Sequence, residues 1–303
     1  MNLANIVCFG LATVGCVAQT PAPKTTTPFD YDAKKPLELK MTELKQDERS
    51  TTFSFSFQGQ SERVPGILVV PKGVSKPPVV LALHGLGANK SFGQQLAPTL
   101  NQAGYAVLAL DAPGHGERAD SKKPLLPTDL ELLHNNWVEG IVDYRRALDA
   151  LAGRPEVDSK RVLLMGISMG GMMGSLLAGS DSRICAAALI VAGGDWRTIV
   201  SKTSLPIVKP LKDLLDKVDP KSAAASKLNE IDPVNWVAKI APRPVLLLQG
   251  DADTIMPKEA SDKLIEAAKE PKSVIRYKGG HIPPMSEWPK IYDWLLKNTP
   301  PKS

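Results

Sequence analysis

Short apolar runs recur along this chain at 79–83, 105–110, 161–165, 184–192, 244–249 and 273–277. Most lack polar alternation, which suits strands buried on both faces of a parallel sheet. Between them, near 91–103, 129–152, 257–269 and 285–297, apolar residues return at helical spacing, and a small-residue helical segment follows residue 166. Upstream, Thr51 to Phe57 alternates polar and apolar side chains and 64–70 forms a second strand, an antiparallel opening. The whole pattern predicts an α/β protein with a mostly parallel eight-stranded sheet and helices on both faces.

Residues 195–243 interrupt the alternation. Leu205, Val208, Leu211, Leu214, Leu215 and Val218 recur there at helical spacing, with lysines and aspartates between them. Such a pattern fits a surface helix facing the core. Trp196 and Arg197 stand at its entry, and His134 and Trp137 lie on the helix after Gly114-His115-Gly116. Trp196 and Trp137 are candidate substrate-pocket residues, with a packing contact as the plainer reading.

The polar chemistry gathers at the ends of the predicted strands. Gly166-Ile167-Ser168-Met169-Gly170-Gly171 joins strand 161–165 to the small-residue helix. A serine with glycines two positions away on each side suits a sharp strand-to-helix turn, where bulkier side chains would collide. That turn lifts the hydroxyl above the sheet and sets it at a helix N-terminus, whose free N–H groups favour developing negative charge. Strand 79–83 ends in His84-Gly85-Leu86-Gly87, and strand 105–110 in Asp111-Ala112-Pro113-Gly114-His115-Gly116. Strand 244–249 runs into Gly250-Asp251-Ala252-Asp253, and strand 273–277 into Gly279-Gly280-His281.

With these five motifs the chain resembles an α/β-hydrolase, and is similar to the dienelactone hydrolase, acetyl xylan esterase and prolyl-oligopeptidase-like branch. The motifs span about residues 65–297 and are specific for superfamily rather than substrate. The resemblance implies a small helical cap insertion at 195–243, beside the plainer surface-helix reading, and a triad in the order serine, acid, histidine. Of His84, His115, His134 and His281, only His281 follows Ser168. The acid is Asp253 or Asp251. Asp253 suits the role better, because its place three residues after Gly250 carries it past the strand end, while Asp251 fits a local turn. The resemblance further implies an oxyanion hole from the backbone N–H groups of Leu86 and Met169, with His84 bracing the loop. Dienelactone hydrolase proper would carry cysteine where Ser168 stands.

The implied chemistry is a serine hydrolase cleaving carboxylic esters of small acyl groups, a carboxylesterase or deacetylase acting on a small-molecule ester. The alternative is a prolyl-oligopeptidase-like peptidase acting on short peptides. No cofactor is called for, and three cysteines and four histidines show no metal-ligand spacing. Over 303 residues the net charge is +5, with Lys and Arg scattered rather than grouped with aromatics, so nucleic-acid binding is not expected. Residues 1–18 read as a signal peptide or lipoprotein leader, apolar and without an acidic residue, and 19–28 as a flexible linker before the domain at 29–303. A lipid could be attached at Cys16. No lysine or arginine precedes Lys24, so a cytoplasmic enzyme with a frayed N-terminus stays beside the exported one (periplasmic, secreted or lipid-anchored). No transmembrane span is expected after the leader. Oligomeric state is not encoded in any of these features.

Overall fold

The computed structural model describes residues 26–120 and 126–301. The leader, Cys16 and most of the linker lie outside these residues. Phe29 is the first wholly buried side chain, its ring 4.8 Å from that of Trp236.

Nine strands form one sheet, one more than the alternation predicts. In chain order the elements are β1 (Lys40–Gln46), β2 (Ser50–Gln58), β3 (Arg63–Pro71), β4 (Pro78–Leu83), α1 (Ser91–Gln102), β5 (Ala106–Leu110), α2 (Leu130–Leu151), β6 (Asp158–Ile167), α3 (Met169–Ser180) and β7 (Ile184–Ile190). Then come α4 (Trp196–Lys202), α5 (Lys209–Leu215), α6 (Ala223–Glu230), β8 (Val245–Gly250), α7 (Lys258–Ala267), β9 (Lys272–Tyr277) and α8 (Trp288–Asn298). The sheet order is β1-β2-β3-β5-β4-β6-β7-β8-β9. From β5 to β9 every pairing is parallel, and β1, β2 and β3 add on antiparallel.

The additional strand is β1. Its sequence Lys-Met-Thr-Glu-Leu-Lys-Gln is almost wholly exposed, so no buried face imprints a two-residue period on it. It is held by backbone pairing to β2 at the sheet edge.

The central strands separate two cores. In β4 the side chains of Val79, Leu81 and Leu83 join one core with α2, α3 and 195–243, while Val80 and Ala82 join the other with α1 and α8. Helices on both faces make β4, β5, β7 and β8 buried along their whole length, which is why they read as unbroken apolar runs. The carboxyl ends of the parallel strands, where polar side chains are permitted, therefore share one edge.

Candidate active site

Ser168 sits between β6 and α3 with φ 56° and ψ −119°, a conformation that costs a non-glycine residue about 1–3 kcal/mol. The flanking glycines make the turn possible through space rather than flexibility. A Cβ at Gly166 would overlap the Gly170 carbonyl, and one at Gly170 would overlap the Leu83 carbonyl at the end of β4. The turn is pinned from the neighbouring strand, where the Ser168 N–H donates to Ile190 O at 2.8 Å.

His281 and Asp253 come from the loops after β9 and β8. A Cβ at Gly250 would overlap the Gly280 carbonyl, so glycine there lets the two loops touch. The Ala252 N–H donates to Gly279 O at 2.9 Å, and the Tyr277 hydroxyl donates to Gly280 O at 2.6 Å. His281 Nε2 lies 2.8 Å from Ser168 Oγ, and His281 Nδ1 lies 2.7 Å from Asp253 Oδ2. The other carboxylate oxygen, Oδ1, accepts the N–H groups of Ile255 at 2.9 Å and Met256 at 2.8 Å. Asp253 is buried and aimed, with both oxygens engaged. Asp251 points elsewhere: its carboxylate is exposed and meets Arg276 at 3.5 Å.

Leu86 and Met169 flank the serine. Met169 is the first residue of α3, so its N–H has no acceptor within the helix. Neither its N–H nor that of Leu86 donates to another protein atom among the described residues. His84, just upstream, is braced at both ring nitrogens: Nδ1 donates to Gly85 O at 2.8 Å, and Nε2 accepts the Ala112 N–H at 3.2 Å. Burial pushes its pKa down to about 4, which keeps the ring neutral. Asp111 secures the same loop by accepting from the backbone N–H of Lys90 at 2.7 Å and its ammonium at 2.8 Å.

A cavity opens at Ser168, lined by Leu86, Met169, Trp137, Trp196 and the 195–243 segment. The rings of Trp137 and Trp196 pack edge to face with centroids 4.9 Å apart. Asp232 holds Trp196 in place, its carboxylate accepting the N–H groups of Asp195 at 2.8 Å and Trp196 at 3.0 Å. Arg197 takes no part in the lining: its guanidinium donates to Leu215 O and Val218 O at the end of α5. His134 faces α6, with Nε2 3.0 Å from Glu230. The sequence reading missed Asp232, Ile255 and Met256. An Ile-Met pair one residue beyond a loop carboxylate, after Thr254, was the available signal for the last two. Asp232 left only an Asp-Pro pair ahead of a short turn.

A family model described as serine aminopeptidase, S33, matches residues 75–241, a span that holds Leu86 and Ser168 and stops before Asp253 and His281. The chain is 26% identical over 252 residues to the Bacillus subtilis (strain 168) protein YtaP, covering 78% of this chain and 81% of that protein. Among solved structures it is similar to an acetyl xylan esterase from Paenibacillus sp. R4, with a TM-score of 0.76, 22% identity and coverage of 88% and 90% of the two chains. Acetyl xylan esterase 1 from Thermoanaerobacterium sp. JW/SL YS485 gives a TM-score of 0.76 at 20% identity, covering 89% of this chain and 90% of that one. At these identities the structural likeness speaks to the α/β-hydrolase fold.

Proposed function

The chain belongs to the serine aminopeptidase S33 family of α/β hydrolases, and on that premise we propose that it cleaves carboxylic esters of small acyl groups through an acyl-enzyme on Ser168. One observation carries this reading: an unbroken hydrogen-bonded chain from Ser168 through His281 to Asp253, opening onto an apolar cavity.

His281 Nε2 takes the Ser168 proton as Oγ attacks the acyl carbon. Asp253 Oδ2 accepts the Nδ1–H bond, fixes the tautomer that leaves Nε2 free, and stabilises the imidazolium that forms. The N–H groups of Leu86 and Met169 receive the charge on the tetrahedral oxygen, aided by the N-terminus of α3. The imidazolium then protonates the departing alcohol. Water, deprotonated by the same nitrogen, releases the acid and restores Ser168. The strain at Ser168 supports this assignment, since strained backbone that the surroundings enforce clusters at reactive sites. The apolar opening of the sequence favours an exported enzyme, lipid-anchored at Cys16 or released.

Membership of a family described as serine aminopeptidases favours a second reading, a peptidase attacking amides by the same steps. Ser168→Ala should lower 4-nitrophenyl ester turnover by roughly 10⁴–10⁶-fold and abolish labelling by a fluorophosphonate. Aminoacyl-naphthylamides cleaved faster than every ester tried would replace the esterase reading with the peptidase one.

A further inference from the structure

His281 stands in a loop that its surroundings hold at few points. Gly280 and Ile282, on either side of it, are exposed, so packing does not fix the main chain there. Between Gly279 and Pro283 no backbone N–H donates to another protein atom among the described residues. Two carbonyls of the loop are engaged: Gly279 O accepts the Ala252 N–H at 2.9 Å, and Gly280 O accepts the Tyr277 hydroxyl at 2.6 Å. The second belongs to the planar peptide that contains the His281 nitrogen. It is the last fixed point of the main chain before the imidazole.

Tyr277 is the last residue of β9. Its side chain is buried, and a Cβ at Gly279 would stand 3.0 Å from the ring, so the ring lies directly against the loop. Its own carbonyl accepts the Asp251 N–H at 3.0 Å, which ties the same residue to the loop of Asp253. Burial, with the carboxylates of Asp253 and Glu287 nearby, pushes the phenol pKa up, so the hydroxyl keeps the proton it donates. Two glycines precede His281, and glycine leaves the backbone free to rotate. Without the bond at Gly280 O, that rotation reaches the imidazole. The ring must keep Nε2 on Ser168 Oγ, at 2.8 Å, while Nδ1 stays on Asp253, at 2.7 Å.

We propose that Tyr277 is a positioning residue for the reaction: its hydroxyl, through Gly280 O, fixes the peptide before His281 and so holds the imidazole between Ser168 and Asp253. It acts through the main chain rather than on the ester. This inference rests on the reading of Ser168, His281 and Asp253 as the triad. Tyr105 supplies a control. Its hydroxyl also donates to a backbone carbonyl, Thr299 O at 3.0 Å, and its side chain is also buried. It stands just before β5, however, at the opposite edge of the sheet from the triad.

The test replaces each tyrosine by phenylalanine, which keeps the ring and its packing, in the full chain. Turnover of 4-nitrophenyl acetate is read beside fluorophosphonate labelling, urea midpoints and the downfield NMR signal of the His281 Nδ1–H. Tyr277→Phe should lower kcat by about 10–100-fold, the cost of a misplaced reacting group, with KM within about threefold. Its Nδ1–H signal should broaden or vanish as the bond to Asp253 loosens. Tyr105→Phe should lower the urea midpoint, because the buried Thr299 loses a donor to its carbonyl, and leave kcat and the Nδ1–H signal as they are. A kcat for Tyr277→Phe within about threefold of the unaltered protein overturns the inference. So does an Nδ1–H signal that Tyr277→Phe leaves unchanged, or a loss of kcat that is equal in the two variants. Each of these, with labelling lost in Ser168→Ala, leaves the triad reading intact. Labelling that persists in Ser168→Ala sinks the reading of the nucleophile, and this inference with it.

Discussion

His281 and His84 stand past the carboxyl ends of β9 and β4, on one edge of one sheet, and their ring nitrogens meet different kinds of partner. His281 lies between a hydroxyl and a carboxylate, at 2.8 Å and 2.7 Å. His84 lies between a backbone carbonyl and a backbone N–H, and the ring of His115 packs 5.0 Å from it. Backbone partners do not change charge, so His84 can only hold shape, and burial keeps it neutral. A hydroxyl and a carboxylate give His281 a proton donor on one side and an anion to offset its own positive charge on the other. Position along the edge is shared; the partners decide whether an imidazole braces or moves a proton.

Asp253→Asn should disrupt the first arrangement most sharply. It leaves the loop bonds to Oδ1 and removes the anion, and kcat should fall by about 10⁴-fold in ester assays. Asp251→Asn, at an exposed carboxylate, should stay within about threefold and shift stability by no more than about 0.5 kcal/mol. The reverse ranking would hand the acid role to Asp251.

A smaller effect tests the loop that His84 braces. Leu86→Pro deletes the N–H assigned to the tetrahedral oxygen and should cost kcat about 10²–10³-fold. Leu86→Ala keeps that N–H and should act mainly on KM, since Leu86 also lines the cavity.

The smallest effect on turnover belongs to His84 itself. His84→Asn retains a donor for Gly85 O and loses the acceptor for the Ala112 N–H, so stability at pH 7 should drop by about 1–3 kcal/mol. Its folded pKa, about 4, lies below the ordinary 6.5. The unfolded chain therefore binds more protons between those values. The stabilisation is complete above pH 6.5, falls by about 3 kcal/mol as pH drops toward 4, and declines no further below that. Asp143, whose carboxyl burial pushes up to about 6, works in the opposite sense, so the comparison is made between proteins at each pH. Urea midpoints at pH 7 and 4.5 should differ less for His84→Asn than for the unaltered chain. An equal difference would mean that His84 is not held neutral by the fold.

The parallel half of the sheet was legible because burial on both faces writes itself as apolar runs, as in Val79–Leu83 and Ala106–Leu110. Ser168 was legible because close approach demands glycine at Gly166 and Gly170, and His281 because no other histidine follows Ser168. Strand β1 was not, since its side chains are exposed except for half-buried Met41 and leave no two-residue apolar period. Within 195–243 the spacing of Val208, Leu211 and Leu215 matched buried positions, while the break into a short turn and α5 at Lys209 left no comparable trace. Asp232 was invisible for a different reason. Beyond the local Val234 N–H, its partners are N–H groups 36 and 37 residues away, and a backbone donor carries no mark in the sequence.

The hydrogen bonds at the start of 203–208 fasten a wall of the cavity to the loop that carries Asp253. The Ser204 N–H donates to Thr254 O at 2.8 Å, and the hydroxyls of Ser204 and Thr254 lie 2.9 Å apart, between the lining residues Thr203 and Leu205 and the residue beside Asp253. A single pair of residues therefore joins the wall of the cavity to the turn that aims Asp253, so a substitution that breaks the Ser204–Thr254 bonds should be felt at both.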